Sequence, residues 1–178
     1  MTTDPPRVVG LDLALRASGL ALPDGTLHTL KIPNRIRGYR RHAWLAEELV
    51  ARLNPVAPDL VSIEAYALGA PGRLSLVRLG EAGGLVRTLF ARAGWPWIEV
   101  PQALVKKTAT GRGNADKADV MAAAEDDAQR RGLPMPDNTD EADAYWLRWI
   151  GEDAAAFLAA GDDLPGSLSS IDTDHAHT

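Results

Sequence analysis

Short apolar runs separated by polar turns lead the chain, and longer stretches of helical period dominate its second half. Val8, Val9, Leu11 and Leu13 read as a strand apolar on both faces, the pattern of a central strand covered by helices. That strand carries one carboxylate, Asp12, and breaks into a polar turn over Ala14–Ser18, with Ser18-Gly19 marking a turn. Leu20–Leu22 and Leu27–Ile32 read as two short strands around the hairpin loop Pro23-Asp24-Gly25. Ala43 to Leu53 has helical period through Trp44, Leu45, Leu49 and Leu53, and Pro55 and Pro58 close it. Leu60-Val61-Ser62-Ile63 is another apolar strand, ending in Glu64 and followed by Tyr66 and a turn at Gly69–Gly72. Leu74 to Ala93 predicts a helix. Its Gly80, Gly83 and Gly84 each cost about 1 kcal/mol relative to Ala, which points to close packing against another element or a second subunit. Trp95 to Val100 returns to extended structure, with Pro96 suited to a strand start or an edge. Pro101-Gln102 opens a short helical stretch through Lys106-Lys107, TATGRGN forms a loop, and Asn114 caps a helix from Ala115 to about Arg130. The last helix runs from Asn138 to about Ala160, with Asn138 and Glu141 as a capping pair and Ala142, Tyr145, Trp146, Trp149 and Ile150 as its apolar stripe.

Composition narrows the class. The 178 residues fit one domain with a substantial core, and the chain has no cysteine, so disulfides, thiolate chemistry and cysteine zinc sites are excluded. No apolar run approaches the ~18 residues of a membrane helix, and the start lacks the pattern of a signal peptide, so a cytoplasmic protein is expected. The net charge of −5 is unevenly spread: residues 151–178 hold six acids and no Lys or Arg. Residues 1–150 carry 19 basic and 18 acidic side chains. A body over residues 1–160 and an acidic tail over 161–178 of disorder-like composition follow, and the near-neutral body leaves room for a polyanion-binding face.

Lone carboxylates are the candidate chemistry. An ionised Asp12 inside a covered strand costs several kcal/mol unless it is paired or holds a metal, the alternative being a cap on the turn that follows. Glu64 repeats the arrangement, with a strand end emerging into solvent as its alternative. Asp140 and Asp143, three apart, share a helix face. First-turn acids favour the helix dipole by roughly 0.3–1 kcal/mol, which accounts for Asp140. It accounts less well for Asp143, which at ~100° per residue falls beside Ile150 at the border of the apolar stripe. Lys106, Lys107, Arg112 and Lys117 surround the glycine loop and make a phosphate seat, although the loop fits neither a dinucleotide fingerprint nor a Walker pattern. Lys31, Arg35, Arg37, Arg40 and Arg41 read as a solvated helix start in preference to direct phosphate contacts.

From Val8 to about Ile150 these pieces resemble, in order, the RuvC family of Holliday-junction resolvases. The first motif, an Asp ending strand one and followed by Pro-Gly and a further Gly, is here Asp12-Leu13-Ala14 with Arg16 and Gly19. The second is the strand VSIEAYAL ending in Glu64, the third is VKKTATGRGNADK with Lys106 and Lys117, and the last is NTDEADA with Asp140 and Asp143. The resemblance implies an α/β, ribonuclease H-like fold, a mixed five-stranded sheet flanked by helices. It implies that Asp12, Glu64, Asp140 and Asp143 converge on two Mg²⁺ or Mn²⁺ ions. Asp12 would bridge them, Glu64 and Asp143 would each serve one ion, and Asp140 would be a ligand or orient water. Lys106 and Lys117 would contact phosphates, with Lys107, Arg112, Arg16 and Tyr66 as further DNA contacts. The expected activity is hydrolysis of phosphodiester bonds in Holliday junctions or other branched DNA by a homodimer, a helicase partner being left unspecified. Where the family carries an aromatic wedge three residues past the Glu, this chain has Ala67, between Tyr66 and Leu68, which broadens the expected substrates to forks and flaps.

Three other readings compete. An ATP-using protein of the actin and sugar-kinase type needs a second phosphate loop and more length than 178 residues. A non-catalytic DNA-binding relative gains nothing from four acids facing phosphate. A nuclease acting on RNA or hybrids is compatible with the same residues.

Overall fold

The computed structural model describes residues 4–65, 73–162, 164 and 168–171. Tyr66, Ala67, Leu68 and the turn at 69–72 lie outside the described residues, as do His175 and His177.

Among the described residues six strands form one mixed sheet in the order β3-β2-β1-β4-β5-β6. They are β1 (Val8–Asp12), β2 (Ala17–Ala21), β3 (Leu27–Lys31), β4 (Leu60–Glu64), β5 (Trp97–Val100) and β6 (Ser169–Ile171). β1, β4 and β5 run parallel, β2 and β3 form the antiparallel hairpin, and β6 pairs antiparallel with β5. The five strands expected from the sequence are present. The sixth falls within residues 161–178, read from sequence as a disordered tail: Ser169, Ser170 and Ile171 pair with Glu99, Ile98 and Trp97, and nearby Leu164 and Leu168 pack on the core.

Among the described residues five helices cover the sheet: α1 (Arg40–Leu53), α2 (Arg73–Ala93), α3 (Gln102–Thr110), α4 (Lys117–Arg131) and α5 (Thr139–Ala160). Strand alternation divides the core in two. Val9, Leu11, Val61 and Ile63 pack with Leu45 and Leu49 of α1 and Val86 and Phe90 of α2. Val8, Leu60, Ile98 and Val100 pack with Val105, Val120, Tyr145, Leu147 and Ile150 from α3, α4 and α5.

Several boundaries depart from the sequence reading, each for a local reason. Ser18 and Gly19 are not a turn but the middle of β2, opposite Leu30 and Thr29. The turn lies just before them, where the Ser18 hydroxyl accepts from the Ala14 amide at 3.1 Å. α1 begins at Arg40, so Arg40 and Arg41 belong to the helix. Thr108, Ala109 and Thr110, read as loop, continue α3 until Gly111 closes it at φ 77°. Asp116, not Asn114, caps α4, its carboxylate accepting from the Asp119 amide at 2.8 Å. On α2, a Cβ added at Gly80 or Gly84 would meet nothing within 4 Å, so these glycines face open space within the chain.

Candidate active site

Parity along the strands brings the first two acids together. Val8 and Leu60 face α5, so Gly10 and Asp12 on β1, and Ser62 and Glu64 on β4, face it too. Leu11 stands opposite Ile63 in the parallel ladder, which sets Asp12 and Glu64 side by side at the carboxyl ends of adjacent strands. Ligands of open α/β sheets bind at that end.

Close approach of α5 brings in the other two. A Cβ at Gly10 would lie 2.1 Å from the Ala144 carbonyl oxygen, and one at Gly19 only 1.8 Å from that of Asp140. Gly19 is also the ladder partner of Asp12. Two glycines therefore let the first turns of α5 rest directly on β1 and β2 beside the strand carboxylates. The turn is locked from below. Asn138 caps the helix by accepting from the amides of Asp140 and Glu141 at 3.0 and 3.1 Å. Its amide donates to the Thr29 hydroxyl at 2.7 Å. That hydroxyl donates to Glu141 at 2.6 Å, and Glu141 also accepts from the Asp137 amide at 2.9 Å. Glu141 thus reaches across to β3 and to Asp137, where a capping box would have it return to the amide of Asn138.

The resulting cluster is electrostatically strained. Asp12 is buried, and desolvation, followed by the charges of Glu64, Asp143 and Asp140, holds its pKa well above the ordinary carboxylate range. Desolvation and the Asp143 charge push Glu64 up to about 7, partly offset by Lys117, by a side-chain hydrogen bond with Asp12 and by Lys106. Asp143 is raised by desolvation and by Asp140, against the pull of Lys117 and Lys106. The Lys117 ammonium lies 3.7 Å from Asp143 Oδ2.

Such a set fits a hard divalent cation. Its donors are carboxylate oxygens, and the raised pKa values of Asp12 and Glu64 mark where positive charge is wanted. Among the described residues no group of three or more acids stands at metal-ligand spacing. Stability should report the strain. Glu64 ionises near 4.5 when unfolded and near 7 when folded, so the folded state binds the extra proton between those values. In EDTA the protein is expected to lose about 2 kcal/mol as pH rises from 5 to 8. Mn²⁺ should remove most of that loss, and Glu64→Gln should reduce it, Asp12 and Asp143 keeping part of the slope. Thermal melts across the range test this, and a flat wild-type profile in EDTA contradicts it.

The other residues singled out from sequence divide into three groups. Lys106 and Lys117 act electrostatically on the acids. Lys107 is exposed on α3, and Arg112 is engaged with Asp119 at 2.8 Å. Arg16 is exposed on the turn after Asp12, and Tyr66 lies outside the described residues. Sequence reasoning missed Thr29, Glu141 and Gly10 as parts of the site, and took Gly19 only as a motif residue; of the three, only Glu141 carried a signal, its spacing from Asn138.

The chain is similar to proteins named crossover junction endodeoxyribonuclease RuvC. The one from Azorhizobium caulinodans is 33% identical over 128 residues, 67% of this chain and 75% of that protein. The chain belongs to the RuvC family. The RuvC of Sorangium cellulosum is 39% identical over 104 residues, 58% of this chain but 56% of its own length. The chain thus spans little more than half of that relative. No family model matches. Among solved structures, Thermus thermophilus RuvC in complex with Holliday junction substrate matches with a TM-score of 0.72 at 19% identity, over 93% of this chain and 99% of that one. That likeness establishes the ribonuclease H-like RuvC fold.

Proposed function

We propose that this chain is a divalent-metal-dependent, structure-specific DNA endonuclease that hydrolyses phosphodiester bonds in Holliday junctions or other branched DNA. One observation carries the reading: Asp12 and Glu64 sit side by side at the ends of β1 and β4, under the turn of α5 that bears Asp140 and Asp143. Asp12, between Glu64 and the α5 acids, suits a ligand shared by two Mg²⁺ or Mn²⁺ ions; Glu64 and Asp143 would each serve one, with Asp140 as a ligand or orienting water. When bound, such ions supply Lewis-acid neutralisation at phosphorus and a water acidic enough to attack. The chain's own groups do the rest. Glu141 and Asn138, tied to Thr29, hold the α5 turn so that its acids face the strand ends. Lys106 and Lys117 offset the cluster's negative charge, allowing a phosphate to approach. A pure DNA-binding role would leave those acids repelling the ligand, which favours the nuclease reading.

A homodimer agrees with α2. Gly80 and Gly84, four residues apart, leave an open stretch along the helix. Purified protein incubated with labelled four-way, three-way, forked and linear DNA is expected to nick the branched substrates in Mg²⁺ or Mn²⁺ and not in EDTA. Tight binding without metal-dependent cutting would overturn the assignment; cutting of RNA or hybrids in preference to DNA would redirect it.

A further inference from the structure

The arginines of the α1 start were read from sequence as a solvated face, but part of that cluster borders a cavity. A recess of about 620 Å³ opens between the turn after β1, the start of α1 and the exposed side of α2. Ala14, Leu15 and Arg16 form one wall, two to four residues beyond Asp12. Arg37, Arg41 and His42 form the second, and Arg78 and Glu81 of α2 the third. Four guanidinium groups and an imidazole against one carboxylate give the recess a strong positive bias. Arg16, Arg37 and Arg78 are exposed and form no ion pair among the described residues.

Arg41 makes this more than a charged surface. Its Nη2 donates to the Leu15 carbonyl at 2.5 Å, pinning the turn that follows Asp12. Its Nε is buried and has no hydrogen-bond partner among the described residues. A buried guanidinium N–H without an acceptor costs stability, so it is expected to persist where an acceptor arrives from outside. α1 adds to this, since its first turn carries no acid and Tyr39 provides no side-chain cap. Tyr39 itself is 76% exposed on the rim, its ring edge-on to His42 at 5.9 Å between centroids. A flat ring beside a cationic recess suits a nucleotide, with phosphate below and base or sugar above.

We infer that this recess seats a phosphate-bearing nucleotide of the strand being cut, next to the phosphate over the carboxylates. The inference rests on the nuclease reading and extends it to a second anchoring point, on the opposite side of the Asp12 turn from Lys106 and Lys117. Arg37 and Arg78 would hold the phosphate as exposed donors, and Arg41 would couple its arrival to the turn that positions Asp12. Fixing the strand at two points sets its path across the site, which is how backbone contacts orient a nucleic acid without reading its sequence.

The test uses the whole protein and a synthetic four-way junction, comparing wild type with Arg37→Ala/Arg78→Ala. Because both side chains are exposed, the double variant should melt like wild type. Its affinity should fall at least about tenfold at 0.1 M salt, with the slope of log K against log salt smaller by about 1. A scan of methylphosphonates along the cut strand, each removing one phosphate charge, should find one position that weakens wild type and leaves the double variant unaffected. Inorganic phosphate competing equally well for wild type and variant would show that the recess takes no anion. Equal salt slopes would overturn the inference while leaving the nuclease reading intact. So would conversion of a wild-type dimer to monomer, which would assign the arginines to a protein interface. Wild type that neither binds nor cuts the junction would overturn both.

Discussion

Asp12→Asn is expected to abolish cleavage, by about a thousandfold or more, while making the metal-free protein more stable at pH 8 than wild type. The two effects share one cause. Asp12 is desolvated and faces Glu64, Asp143 and Asp140, so its charged form is costly until a cation is bound. A raised folded-state pKa means that its stabilising contribution is complete at low pH and is lost as pH rises. Asparagine keeps the size and cannot ionise, so its advantage should be largest at pH 8 in EDTA and should shrink towards pH 5. Addition of Mn²⁺ should reverse the order, because only wild type offers the full carboxylate set. Melting curves at both pH values, with and without Mn²⁺, test this beside a cleavage assay. An Asn variant that cuts DNA normally would remove Asp12 from the reaction, and one that is less stable in EDTA would show that the clustered charges are not the source of strain.

Gly19→Ala is expected to damage fold and activity together. A single Cβ there would lie 1.8 Å from the Asp140 carbonyl oxygen and 3.0 Å from the Glu141 amide nitrogen, both backbone atoms of the turn that carries the acids. No rotamer relieves that clash, so α5 must lift. Overpacking of this kind costs roughly 3 kcal/mol, a fall in melting temperature of about 6–12 °C for a domain of this size. Because Gly19 is the ladder partner of Asp12, the lift opens the gap between strand and helix carboxylates, and cleavage should fall about a hundredfold or more even where the variant remains folded. A Gly19→Ala protein with normal melting and normal cutting would mean that the contact of α5 with β2 is slack.

Much of the site was legible before folding because its members are chemically out of place. Asp12 and Glu64 interrupt apolar strands, and Asp143 falls beside an apolar stripe, so each announces a cost that something must offset. The supporting residues are in their ordinary habitats and announced nothing. Thr29 is a common strand residue, and Glu141 at the third position of a helix suggests a capping box, yet its carboxylate serves β3 and Asp137 instead. Gly19 beside Ser18 reads as a turn but is a contact point under α5, whereas the packing face expected at Gly80 and Gly84 is left uncovered by the chain itself, which leaves the second subunit of that reading.

What the sequence determined by itself was the order of elements, the central character of β1, the identity of the acids and the family motifs, since these depend on local period and residue type. Only the tertiary structure decided which acids meet. That meeting depends on strand parity, on the parallel register of β1 with β4 and on how closely two side-chain-free positions let α5 approach. The sixth strand and the arginine recess likewise arise between segments far apart along the chain. Residues distant in sequence acquire shared chemistry only when packing fixes their separation, and no local pattern encodes that distance.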